Sequence, residues 1–141
     1  MAIAYINIGS NLGERKKLIY LALEKISDQF GVCCVSSFIE SEPWGFESEN
    51  RFLNLGVSFH TDEEPELLLS KLQIIEKSIC TASHRDASNR YLDRQIDIDI
   101  MAIDNLKYRS QRLEIPHKHL LEREFFLRPL KELNPFWKFP F

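Results

Sequence analysis

The sequence predicts an α+β domain: an antiparallel sheet with two helices on one face, followed by a C-terminal extension. Three observations predict it. Apolar residues switch between alternating and helical spacing along the chain, in the order β-α-β-β-α-β. Each helical stretch carries one apolar stripe, so each has one face to bury. The length of 141 residues suits one core, so residues 1–141 are read as a single domain.

The first strand runs from Ile3 to Ile8 and enters the turn cluster Gly9-Ser10-Asn11-Leu12-Gly13. Ser10 or Asn11 is the candidate N-cap of the helix that follows. Between Glu14 and Phe30, Ile19, Ala22, Leu23, Ile26 and Phe30 recur at helical spacing, and Gly31 ends the helix. Val32 to Ile39 is rich in strand formers, and Pro43 and Gly45 then break the pattern around Trp44. Phe52 to Thr61 alternates: Leu53, Leu55, Val57 and Phe59 on one face, Phe52, Asn54, Gly56 and Ser58 on the other. Pro65 suits the first turn of a second helix, striped by Leu68, Leu72, Ile75 and Ile79. Residues 81–93 are polar and aperiodic, as expected of a mobile loop. A strand through Gln95–Ile100 follows, then an Asp104-Asn105 turn, a short strand near Leu106 to Tyr108, and a mixed helical tail from His117 to Leu133. The order is that of the ferredoxin-like βαββαβ arrangement.

Bulk properties narrow the function. A net charge of −3 argues against a non-specific nucleic-acid binder. An RNA-binding domain of the same topology would also need a Gly- and aromatic-rich basic signature that is missing here. No apolar run reaches the roughly 20 residues a membrane helix requires. The first residues lack a basic leader pattern, and the three cysteines, Cys33, Cys34 and Cys80, form neither a zinc spacing nor a disulfide framework. The expectation is a reduced, cytoplasmic protein, monomeric, with no nucleic-acid or membrane partner.

The chemistry gathers in Arg94-Gln95-Ile96-Asp97-Ile98-Asp99-Ile100. Alternate strand residues share a face, so Asp97 and Asp99 point together while the isoleucines fill the other side. Two carboxylates held that close repel unless a cation joins them, and hard oxygen donors on a stiff strand suit Mg²⁺, completed by water and phosphate. Phe52 and Asn54 share a strand face beside the Trp44 loop, and Phe125 is a further ring. Such rings plus one amide offer stacking, a donor and an acceptor to a flat heteroaromatic ligand. Arg85, Arg90 and Arg94, with Arg112, His117, Lys118, His119 and Arg123, are candidate partners for a polyphosphate. Gln73 and Glu76 lie one turn apart on the polar side of the second helix.

Four segments in register carry a resemblance across nearly the whole chain: Ile8-Gly9-Ser10-Asn11-Leu12-Gly13; Glu42-Pro43-Trp44-Gly45 leading to Phe52-Leu53-Asn54; Arg94 through Ile100; and Ile115-Pro116-His117 leading to Arg123, Phe125 and Pro129-Leu130. Together they resemble the 6-hydroxymethyl-7,8-dihydropterin pyrophosphokinases of folate biosynthesis. The resemblance implies ATP-dependent transfer of a diphosphate to the pterin hydroxymethyl group, with release of AMP. It implies two Mg²⁺ ions on Asp97 and Asp99, and a pterin ring between Phe52 and Phe125, bonded by Asn54 and by the backbone around Ser41, Pro43 and Trp44. It implies ATP contacts from Gln73, Arg94, the Ile100 backbone, Arg112, His117 and Arg123, with Glu76 at a polar position near the nucleotide; Lys118, where the family sometimes has a tyrosine, is a further ATP-binding candidate by its charge. The chain departs from the family pattern at Cys80-Thr81-Ala82-Ser83, which lacks the family's glycine and arginines. Arg85 and Arg90 are the expected replacements, alongside Arg94 in the catalytic set. A relative that holds pterin or nucleotide without transferring phosphate is the alternative.

Overall fold

The computed structural model describes residues 1–46, 48–80 and 93–141. The element order is β1 (Ala2–Ser10), α1 (Arg15–Phe30), β2 (Cys33–Val35), β3 (Ile39–Ser41), β4 (Phe52–Thr61), α2 (Pro65–Ile79), β5 (Asp97–Ile103), β6 (Tyr108–Arg109), β7 (Glu114–Ile115) and α3 (Glu124–Leu133). The main sheet runs β2-β4-β1-β5, with β3 also on β4, and all its pairings are antiparallel. β6 and β7 form a separate small ribbon.

Alternation decides what each face of the sheet does. Ala4, Ile6 and Ile8 of β1, Leu55, Val57 and Phe59 of β4, and Ile98 and Ile100 of β5 bury against the apolar stripes of α1 and α2 in one cluster. Burying each such side chain is worth about 1.5–3 kcal/mol, so this cluster is the main source of stability. The opposite face carries Tyr5 and Met101, which pack with Leu120, Phe126, Leu130 and Trp137 in a second cluster. The C-terminal extension therefore adds a layer: α3 covers one half of that second face, and the other half is left for a site.

Several boundaries differ from those the sequence predicts. Ser10 ends β1, and α1 starts after Glu14 without a side-chain cap. Asn11 is instead a latch: its Oδ1 accepts from the Arg94 N–H at 2.7 Å, and its Nδ2 donates to Asp93 at 2.8 Å and to the Asn50 carbonyl at 3.1 Å. The turn that follows β1 is thereby tied to the entry of β5, which takes precedence over capping. The β-rich run after Gly31 splits into β2 and β3 because the Ser36 N–H and Oγ both turn to the Gly56 backbone between them. The strand expected near Leu106 begins at Tyr108, since the Leu106 N–H closes the preceding turn on Ile103. Among the described residues no helix is long and apolar enough to cross a membrane. The predicted loop at 81–93, apart from Asp93, lies outside the described residues.

Candidate active site

The uncovered half of the second face is floored by three adjacent strands. From β4 come Phe52 and Asn54, from β1 Gly9 and Asn7, and from β5 Asp97 and Asp99. Gly9 pairs with Asn54 on one side and with Asp97 on the other, and Asn7 pairs with Asp99. The antiparallel register thus puts the amide and the acids in neighbouring columns.

Two cavities meet over this floor. The smaller, about 90 Å³, is lined by Trp44, Phe52, Asn54 and Phe125, together with Arg94 and Arg123. The larger, about 450 Å³, is lined by Gln73, Glu76, Ile100 and Arg112. Asp97, Asp99, His117 and Lys118 border both. The rings and Asn54 therefore collect on one side, and Gln73, Glu76, Ile100 and Arg112 on the other, with the acid pair between; Arg94 and Arg123, expected at the nucleotide, line the ring side.

On the ring side, Asn54 is buried, and its Nδ2 donates to the Ser41 Oγ at 2.9 Å and to the Ile39 carbonyl at 3.2 Å. Ser41 therefore contributes a side-chain oxygen, beyond the backbone role expected of it. Pro43 lies between Glu42 and Trp44, both of which line the cavity. Phe52 is 7 % exposed, mostly buried, with one edge open to the cavity. The Arg123 guanidinium lies 4.3 Å from the Trp44 ring centre, 4.9 Å from Phe126 and 5.6 Å from Phe125, so a cation occupies the aromatic surroundings of the slot. Trp44 also leans on His119 at 4.6 Å.

Charge in the centre is only partly balanced. The Arg94 Nη1 lies 2.7 Å from the Asp97 Oδ2, and Arg94 also sits 5.4 Å over the Phe52 ring. Burial, and then the neighbouring Asp97, push the Asp99 carboxyl well above the ordinary range for aspartate. Glu76 reaches in from α2, where its Oε2 accepts from the Ile98 N–H at 2.8 Å. Burial and the Asp97 charge raise it to about 7. A divalent cation would relieve this crowding. The donors fit Mg²⁺: two carboxylates on one rigid strand. Among the described residues there is no cluster of three or more His, Cys, Asp or Glu that would enclose a metal entirely in protein. Water and phosphate would fill the remaining positions.

On the nucleotide side, the Arg112 Nη2 donates to Ser70 and Gln73, each at 3.2 Å, so α2 holds it over the groove. His117 differs from the expectation that it helps neutralise a polyphosphate. Burial, and then Arg123, His119 and Lys118, lower it to about 3, so at neutral pH it carries no charge. Its Nδ1 accepts the His119 N–H at 3.1 Å, which places the ring proton on Nε2. It is a hydrogen-bond donor without being a cation, and Lys118, Arg112, Arg94 and Arg123 carry the positive charge. Arg85 and Arg90 lie outside the described residues.

Sequence reasoning missed Asn7 and the latch role of Asn11. The signal for Asn7 was present, since an Asn in mid-strand is as unusual at position 7 as at position 54.

An aromatic slot and a cation-lined groove sharing an acid pair, on an antiparallel α+β sheet, are the arrangement a nucleotide-dependent transferase needs. Comparison with known proteins supplies the particular family. Residues 5–135 match the family described as 7,8-dihydro-6-hydroxymethylpterin-pyrophosphokinase (HPPK). The 2-amino-4-hydroxy-6-hydroxymethyldihydropteridine pyrophosphokinase of Porphyromonas gingivalis is 39% identical over 142 residues, covering 99% of this chain and 95% of its own. The protein of the same name from Aquifex aeolicus is 36% identical, covering 96% of this chain and 82% of its own. A crystal structure described as HPPK-DHPS in complex with substrates superposes with a TM-score of 0.73 over 100% of this chain. This chain spans 43% of that longer one, and at 15% identity the likeness bears on the fold alone. The chain belongs to the HPPK family, the ATP-dependent pterin pyrophosphokinases of folate synthesis.

Proposed function

We propose that this chain, acting as a single monomeric domain, transfers the terminal diphosphate of ATP to 6-hydroxymethyl-7,8-dihydropterin in the two cavities described. The hydroxymethyl oxygen attacks the β-phosphorus and releases its proton to water, the bond from that phosphorus to the bridging oxygen on the α side breaks, and AMP leaves with the electron pair. The observation that carries the assignment of roles is that Asp97 and Asp99 border both cavities. A group held on one side of the acids faces a phosphate chain held on the other.

The residues then divide the work. Phe52, Phe125 and Trp44 hold the ring, with Asn54 and the Ser41–Pro43 segment at its edge. Gln73, Glu76, the Ile100 backbone, Arg112, His117, Lys118 and Arg123 hold the nucleotide. Asp97 and Asp99 would hold two Mg²⁺ ions, which supply neutralisation of the phosphate charge when bound. Arg94 links the two halves by standing on Phe52 and pairing with Asp97. Phosphoryl transfer asks little covalent work of the protein, so alignment and charge account for most of the rate. Arg85 and Arg90 are proposed as further cations on sequence grounds.

The test is AMP release measured with ATP, Mg²⁺ and 6-hydroxymethyl-7,8-dihydropterin. Stoichiometric AMP and pterin diphosphate are expected. Binding of both ligands with no AMP above the pterin-free control would make the chain a non-transferring relative and overturn the assignment.

A further inference from the structure

Asn7 is 3 % exposed, in the middle of the central strand, and its side chain belongs to no apolar cluster. Its Nδ2 donates to the Asn54 Oδ1 at 3.1 Å. The direction of that bond follows from an atom that cannot turn over. The Ile39 carbonyl only accepts, so the Asn54 group facing it is Nδ2. Asn54 Oδ1 then faces β1, and Asn7 must meet it with its own Nδ2. Asn7 Oδ1 is left buried, with no hydrogen-bond partner among the described residues. A buried unmet acceptor on the central strand is unfavourable, and such groups call for a reason.

The accounting at Asn54 supplies one. Both Nδ2 hydrogens are engaged, by Ile39 and Ser41, so Asn54 does not offer a ligand the donor-and-acceptor pair expected of it. What it offers is the second lone pair of Oδ1. Gly9 keeps this region open: a Cβ there would come within 3.2 Å of Asn54 Oδ1 and 3.5 Å of the Phe52 ring. We propose that Asn7 is a positioning residue for the pterin slot: Ile39 and Ser41 set which end of the Asn54 amide faces the ring edge, and Asn7 fixes the oxygen at that end in place. This rests on the assignment of that slot to the pterin ring. Asn7 acts through Asn54 and need not touch the reacting atoms.

The experiment compares wild type with Asn7→Ala and with Asn7→Leu, which keeps the branched outline at a larger volume and removes the donor. Pterin affinity, measured by calorimetry with a non-hydrolysable ATP analogue saturating, is expected to fall about tenfold in both, the loss of one oriented hydrogen bond. Affinity for the analogue alone is expected to stay within twofold, and the pterin KM to move more than kcat. In ligand-free protein, the NMR signals of the Asn54 side-chain amide are expected to shift and broaden, because its oxygen loses a fixed partner while Ile39 and Ser41 remain. Pterin affinity within twofold of wild type in both variants would overturn the proposal. So would equal losses for pterin and nucleotide, or an unchanged Asn54 amide. The NMR measurement needs no substrate. If wild type bound no pterin while the Asn54 amide signals still shifted and broadened, the assignment of the slot would fall and the hold of Asn7 on Asn54 would stand.

Discussion

His117 makes the fold sensitive to mild acid, by an amount that can be worked out. Its ring titrates at about 3 in the folded protein against 6.5 for a free imidazole. Between those values the unfolded chain binds a proton that the folded chain does not. Stability therefore rises with pH across that window. The contribution is fully present above pH 6.5 and is lost as pH falls toward 3. At pH 5 the unfolded ring is about 1.5 pH units below its own pKa and the folded ring is still neutral. The loss relative to pH 7.5 is then ~2 kcal/mol, at about 1.4 kcal/mol per unit. With a urea slope near 2 kcal/mol/M, the midpoint moves by about 1 M. The control is His117→Asn, whose amide oxygen can still accept the His119 N–H but does not titrate. Urea melts of both proteins at pH 7.5 and 5 give the double difference, which cancels the carboxylates common to both. A wild-type loss exceeding the variant's by ~2 kcal/mol is expected. Equal losses within about 0.5 kcal/mol, or a His117 ring proton titrating near 6.5 by NMR in folded protein, would refute the reasoning.

Three further outcomes follow from the same geometry. Gly56→Ala puts a Cβ 2.6 Å from that of Pro129, about 1 Å inside normal contact, and so pushes α3 off the sheet. A loss of about 1–3 kcal/mol, or roughly 3–10 °C in melting temperature, is expected by calorimetry, with a weaker pterin KM because α3 carries Phe125. Asp99→Asn removes a crowded acid, so the metal-free variant should melt no lower than wild type by circular dichroism. Its AMP release should fall more than about 10²-fold, and substantial residual turnover would count against Asp99 as a metal ligand. In Trp137→Phe, Trp44 is the remaining tryptophan, and displacement of Arg123 from its ring by pterin should change its emission; a flat titration at saturating pterin would show that Arg123 stays in place.

Much of this was legible in the sequence because alternation is a strong code. The split of β4 into an apolar face and a Phe52–Asn54 face, and the shared direction of Asp97 and Asp99, follow from period two alone. The grouping of Phe52, Asn54 and Phe125 against Gln73, Glu76 and Arg112 was available from the resemblance, whereas Arg94 and Arg123, expected at the nucleotide, line the ring side. What the sequence hid depends on partners far along the chain. Asn11 looks like a helix cap until Arg94 and Asp93 arrive to claim its amide. His117 looks like a cation until burial and three basic neighbours remove its proton. Asn54 looks like a two-way hydrogen-bonding group until Ile39 and Ser41 take its hydrogens. Each is a matter of competition for a polar group, and spacing does not record who wins.

The end of α2 and the entry to β5 are each moored to another part of the fold. Cys80 Sγ reaches the Ile96 carbonyl at 3.1 Å, and Asn11 grips Asp93 and the Arg94 backbone. These moorings help set the bearing of Asp97 and Asp99. The acids thus take their station partly from the turn that follows β1, a segment distant from them in the chain. A change of shape in that turn would be felt at the proposed metal-binding end of the sheet.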